Sequence, residues 1–142
     1  MIDIDIIISE EITDSTSVDI DRLKQFALVV CRETNMVDSE INIIFIGDRK
    51  MAELNETYKK RTGSTDVLSF NLSDDSSGTV EGEIYISADK AIEQSADYDV
   101  SFEEETVRLV THGLLHLAGR VHNTEKEYDI LSEETERLSQ YY

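Results

Sequence analysis

The chain has 142 residues, 39% apolar and 31% charged, a mixture that suits one soluble globular domain spanning 1–142. No stretch approaches the roughly 18 apolar residues of a membrane span, and the apolar run at 6–8 is too short for a signal peptide, so the expected location is the cytoplasm. Thirteen Lys and Arg against 31 Asp and Glu leave a formal charge of −18, which argues against a protein that coats nucleic acid by neutralising phosphates; an RNA substrate needs a local cationic site inside a repulsive overall field.

Ile2, Ile4, Ile6 and Ile8 recur with a period of two and predict an opening strand. Residues 10–17 are polar and turn-like. Asp19 is placed to cap a helix reaching about Thr34, with Ile20, Leu23, Ala27, Val30 and Cys31 as its apolar positions. Cys31 is the single cysteine, so no intrachain disulfide is possible, and it reads as a small core hydrophobe. Residues 40–47, with Ile41, Ile43, Ile44, Phe45 and Ile46, predict a buried strand ended by Gly47. Asp48 is expected to cap a second helix with Met51, Leu54 and Tyr58 on one side. Lys59, Lys60 and Arg61 then form the one run of three basic residues.

A turn at 62–65, a short strand at 67–72, a polar connection at 73–79 and a strand at 83–87 follow. A helix begins near Asp89 and fades by Asp97. Ser101 with Glu104 forms a capping box for the longest helix, expected to run to about Ala118. Thr124 with Glu127 forms another, opening a last helix whose Tyr128, Leu131 and Leu138 face inward. No internal repeat or linker interrupts the chain. The sum is an α+β fold: a single mixed four-stranded sheet packed by about five helices.

The chain has three histidines, all within the segment THGLLHLAGRVH at 111–122. His112 and His116 are one helical turn apart, so they share a face with Cβ atoms about 5–6 Å apart. That spacing suits two imidazoles on one ion with bonds of about 2.0–2.1 Å. Gly119 is placed to end the helix in the left-handed conformation and to bring His122 back as a third ligand. Three protein ligands leave a fourth tetrahedral position for water, the arrangement of a catalytic zinc. The expected cofactor is therefore one zinc ion per chain, although three imidazoles also suit nickel, cobalt or copper.

The spacing H-x3-H-x2-G-x2-H matches the ligands of the metzincin proteases, and the site is zincin-like in that sense. Those enzymes carry a general-base Glu after the first histidine. Here that residue is Gly113, so peptidase activity is not expected. A glycine inside a helix costs about 1 kcal/mol. Gly113 therefore marks either close packing or room for a substrate beside the metal.

The segment HGLLHLAGRVH resembles the signature H-G-x-L-H-L-x-G-x-D-H of the YbeY family of metal-dependent endoribonucleases, the rRNA maturation factors. Asn55, Tyr58 and the run TDVLSF at 65–70 are similar to that family's N-x-x-Y-R and T-D-V-L-S-F stretches. Gly82-Glu83-Ile84 with Ile86-Ser87 is similar to its G-D-I-x-I-S strand. The likeness covers about 41–138. Val121 stands where the family has an acidic residue, Lys59 where it has Arg, Ser64 where it has Pro, and Leu131 where Met is frequent.

The resemblance implies cleavage of single-stranded ribosomal RNA, in small-subunit 3′-end processing and ribosome quality control, with ribosomal subunit proteins as partners. It implies a cleft wall carrying Asp66 and Ser69 as substrate-facing residues or as groups orienting the ligands. Zinc would lower the pKa of a water toward about 7 and polarise a phosphoryl oxygen. Lys59 or Arg61 would offset the charge developing in the transition state. Attack by water and attack by the RNA 2′-OH stay open. Two rival readings remain: a metal-dependent hydrolase of a small molecule, which the −18 charge favours, and a non-catalytic ribosome-assembly factor with structural zinc.

Overall fold

The computed structural model describes residues 1–9, 12, 18–73 and 79–142. The elements in chain order are β1 (Ile2–Ile8), α1 (Ile20–Glu33), β2 (Ser39–Ile46), α2 (Asp48–Lys59), β3 (Val67–Asn71), β4 (Val80–Ser87), α3 (Ala88–Asp97), α4 (Phe102–Leu117) and α5 (Glu125–Ser139). The four strands form one mixed sheet in the order β1-β2-β4-β3. β1 and β4 run parallel to β2, and β3 runs antiparallel to β4. Among the described residues, the α+β fold with four strands and five helices is the one the sequence predicts.

Alternation along the strands sorts side chains between two faces. Ile4, Ile41, Ile43, Phe45, Ile84 and Ile86 pack with Leu23, Phe26, Val30, Leu109, Val110, Leu114 and Leu115 in the main core, so α1 and α4 cover this face. On the opposite face Ile46, Met51 and Leu68 form a smaller cluster edged by Ile44, Leu54, Phe70 and Tyr85, which α2 covers. Cys31 is fully buried, and burial pushes its thiol up to about 11.

α4 approaches β4 closely because two glycines leave out a side chain at the contact. A Cβ on Gly82 would lie 2.7 Å from Leu117 Cδ1, and one on Gly113 would lie 2.6 Å from Ile84 Cγ2. Real Cβ atoms do not approach so near, so each glycine receives the other element's branched side chain. This fixes the height of α4 above the sheet, and with it the height of His112 and His116.

Several boundaries differ from the sequence-based expectation. Asp48 is the first residue of α2, and Gly47 is its N-cap with no capping side chain. The Asp48 carboxylate instead accepts hydrogen bonds from the Ser64 and Ser87 hydroxyls, tying the 60s loop to the end of β4. β4 begins at Val80 rather than at 83, because residues 80–82 pair in register with Ser39, Glu40 and Ile41. β3 ends at Asn71, although the Leu72 amide still donates to Glu81 O at 2.7 Å. Tyr128, expected to face inward, is 56% exposed, and Tyr58, expected on one side of α2 with Met51 and Leu54, is 64% exposed. The polar segments expected at 10–17 and 73–79 fall largely outside the described residues.

Candidate metal centre

α4 carries the site, and its two ends are built by different devices. At the start the Ser101 hydroxyl accepts from the Glu104 amide, and Glu103, Glu104 and Glu105 occupy the first turn. Carboxylates there complement the helix dipole. At the end the Gly119 amide donates to His116 O and the Arg120 amide to Leu115 O, each at 3.0 Å. Gly119 has φ +91, and this pair of bonds is the Schellman motif that reverses a chain after a helix. The reversal brings His122 back over the last turn.

The three imidazoles converge. His112 Nε2 and His116 Nε2 are 3.0 Å apart. The ring centroids of His122 lie 5.9 Å from His112 and 5.0 Å from His116. One ring nitrogen from each histidine lies within 4.8 Å of the others, and among the described residues this is the group that could hold a metal ion. Tetrahedral ligands with bonds near 2.0 Å are about 3.3 Å from one another, so the first pair already has a ligand pair's separation.

The electrostatics suit the same purpose. Burial, reinforced by His116, Arg108 and His122, pushes His112 down to about 4 against the favourable pull of Asp66. His116 is also lowered, by burial first, then by His122 and Lys59. Imidazoles that resist protonation keep the lone pairs a cation needs. Among the described residues, three imidazole donors with no carboxylate in the cluster fit a borderline-soft divalent ion such as zinc.

The other expected site residues surround this centre at different ranges. The Ser69 hydroxyl on β3 donates to Gly113 O at 3.1 Å, so it pins the helix turn that follows His112. Gly113 is buried, and the space its side chain would fill belongs to Ile84. Asp66 accepts from the Val67 amide at 2.8 Å and from Gln94 Nε2 at 3.2 Å, and lies 3.9 Å from Arg108. Lys59 is the last residue of α2. Its ammonium lies 5.1 Å from the centre of the Phe70 ring and its charge is felt at His116. Lys60 takes the left-handed conformation, φ 57, and ends the helix. That turn splits the basic run, leaving Arg61 beyond the cap with its amide on Asn55 O.

Two neighbours escaped the sequence reading. Arg108 stands one helical turn before His112 and makes a bidentate pair with Glu105 at 2.8 and 2.7 Å. The Glu105 side chain is only 1% exposed, so this pair occupies the guanidinium's inner edge. The spacing from His112 was the available signal. The second is Tyr128, whose ring lies 6.3 Å from that of His122. A groove of about 710 Å³ between α4 and α5 has His112 and Tyr128 among its lining residues, with Glu104, Arg108, Ser132 and Glu136.

Comparison with known proteins gives one family. Residues 6–142 match the family model described as Endoribonuclease YbeY. An Endoribonuclease YbeY of Carboxydothermus hydrogenoformans is 39% identical over 69% of this chain and 68% of its own. That of Bacillus licheniformis is 33% identical over 92% of this chain and 93% of its own. That of Bacillus subtilis is 32% identical over 87% and 84%. The solution structure of a Thermotoga maritima protein shares the fold, with a TM-score of 0.58 at 24% identity over 97% of this chain and 90% of that one.

Proposed function

The chain belongs to the endoribonuclease YbeY family, and on that premise we propose that it is a zinc-dependent, single-strand endoribonuclease of rRNA maturation. In this reading it acts on the 3′ end of the small-subunit RNA and in ribosome quality control, in the cytoplasm, as a single domain over 1–142 beside ribosomal subunit proteins. The observation that carries the proposal is the convergence of His112, His116 and His122 within 4.8 Å. Among the described residues no helix is long and apolar enough to cross a membrane.

His112, His116 and His122 hold one cation per chain. Bound there, the cation supplies Lewis acidity, lowering the pKa of water and polarising a phosphoryl oxygen. The protein contributes the rest. Burial keeps His112 and His116 unprotonated. Ser69 fixes the α4 backbone at Gly113, and Gly113 lets α4 settle on Ile84, so both position His112. Asp66 steadies the same wall through Gln94 and Arg108.

Lys59 is the better candidate for stabilising the charge that develops on phosphorus. Its ammonium rests beside Phe70 and its charge is felt at His116, whereas Arg61 lies beyond the left-handed turn at Lys60. A structural zinc has a closed shell of four protein ligands. The cluster of three donors favours a catalytic ion over that rival.

The test is cleavage of single-stranded RNA by metal-loaded protein, beside His116→Ala and a chelator control. Both changes are expected to slow cleavage by more than about a hundredfold. A His116→Ala protein that cuts as fast as the parent would sink the nuclease reading.

A further inference from the structure

Tyr128 is in phase with Leu131, Thr135 and Leu138, the buried stripe of α5. The helix therefore turns it toward α4, yet its side chain stays 56% exposed. What it meets is not core but the groove between the two helices, where it and His112 are both lining residues. Its ring stands at 80° to that of His122, 6.3 Å away. A large, half-open ring that meets a ligand histidine only edge to face leaves most of its surface turned to the groove beside the metal centre.

The groove's charge says what kind of group suits it. Glu104 and Glu136 line it, and the guanidinium of Arg108 is committed to the buried Glu105. Such walls repel a phosphate and accept an uncharged planar group. A volume of about 710 Å³ leaves ample room for one. Lys59, with its ammonium beside Phe70 and its charge felt at His116, is not among the residues that line the groove. Phosphate and base therefore find favourable surroundings at different places beside the three histidines.

We propose that Tyr128 is a stacking platform for the base of a nucleotide next to the scissile phosphate, and that the α4–α5 groove receives that base while the sugar–phosphate backbone stays on the Lys59 side. The proposal rests on the nuclease reading and adds a positioning residue to it. Stacking on a tyrosine ring tolerates every base, so it orients single-stranded RNA without demanding a sequence. A base held in a duplex could not reach the ring, which makes the platform a selector for unpaired strands.

The test uses the metal-loaded full chain and an RNA oligomer cut at one mapped position, with an abasic residue placed in turn on either side of the cut. The parent is expected to slow on the order of tenfold when one of these flanking bases is removed. Tyr128→Ala is expected to show a similar loss on the intact oligomer and no further loss from that lesion, while Tyr128→Phe cuts like the parent. A 2-aminopurine at the same position should be quenched on binding to the parent and to Tyr128→Phe, and stay bright on Tyr128→Ala. If the parent cuts RNA but Tyr128→Ala cuts as fast, or the two losses multiply, or the fluorophore is quenched equally, the platform is refuted and the nuclease reading stands. If the parent cuts no single-stranded RNA, the nuclease reading falls and takes the platform with it.

Discussion

The two walls of the metal centre solve different problems with similar residues. On the α2–β3 side, Tyr58, Phe70 and Tyr85 pack edge to face at 5.6 and 5.8 Å, and Lys59 rests over the Phe70 ring. On the α4–α5 side, Arg108 is held by Glu105 and lies 3.9 Å from Asp66, while Tyr128 stands open to the groove. One wall presents a cation beside its aromatics; the other neutralises its cation and presents an aromatic to the groove. In a chain of charge −18, a site for a polyanion has to rest on local cations such as Lys59 rather than on the overall field.

The largest test of this contrast concerns the feature both walls share. Removing His116 or the metal should abolish cleavage on either account, by more than about a hundredfold. The next separates the two basic candidates. Lys59→Ala should lower kcat by about a hundredfold, with Lys59→Arg restoring most of it, because loss of one transition-state contact costs that much. Arg61→Ala should change kcat less than threefold or so. Equal losses at the two positions would show that the split of the basic run by Lys60 has no functional meaning.

A third change acts on the frame between the walls. Gly113→Ala should destabilise the protein by about 1–3 kcal/mol, since Ile84 fills the space its methyl needs. Denaturant midpoints would measure it, and an unchanged midpoint would mean that α4 can lift off β4 freely. A further test is the pH dependence of the metal-free protein. His112 is lowered to about 4 in the fold from an ordinary 6.5. The unfolded chain therefore takes up a proton first, and stability is lost as pH falls through 6.5 toward about 4. His112→Gln should flatten that slope, measured by denaturant unfolding at several pH values with chelator present.

Periodicity made most of the fold legible, and the histidine triad stood out because its spacing has chemical meaning. The readings that failed did so where tertiary context overrode a local rule. Asp48 resembles a cap, but its carboxylate is drawn away by Ser64 and Ser87, which no local pattern encodes. Tyr128 fits the inward stripe of α5 and remains exposed, because periodicity gives a direction and not what lies there. The run of three basic residues left Lys59 and Arg61 as alternatives, and no local pattern showed that a non-glycine residue between them, Lys60, takes the left-handed conformation. The Arg108–Glu105 pair was hidden in a stretch that read only as a capped helix start.

Gly119 carries one more consequence. A side chain at this position would meet nothing within 4 Å, so room is not what excludes it. The obstacle is chirality: the backbone at φ +91 suits a residue without a handed Cβ. His122 is therefore kept in register with its two companions by a stereochemical rule rather than by a packed neighbour. A chemically assembled chain with D-alanine at 119 would preserve the reversal, and among encoded residues asparagine is the mildest replacement.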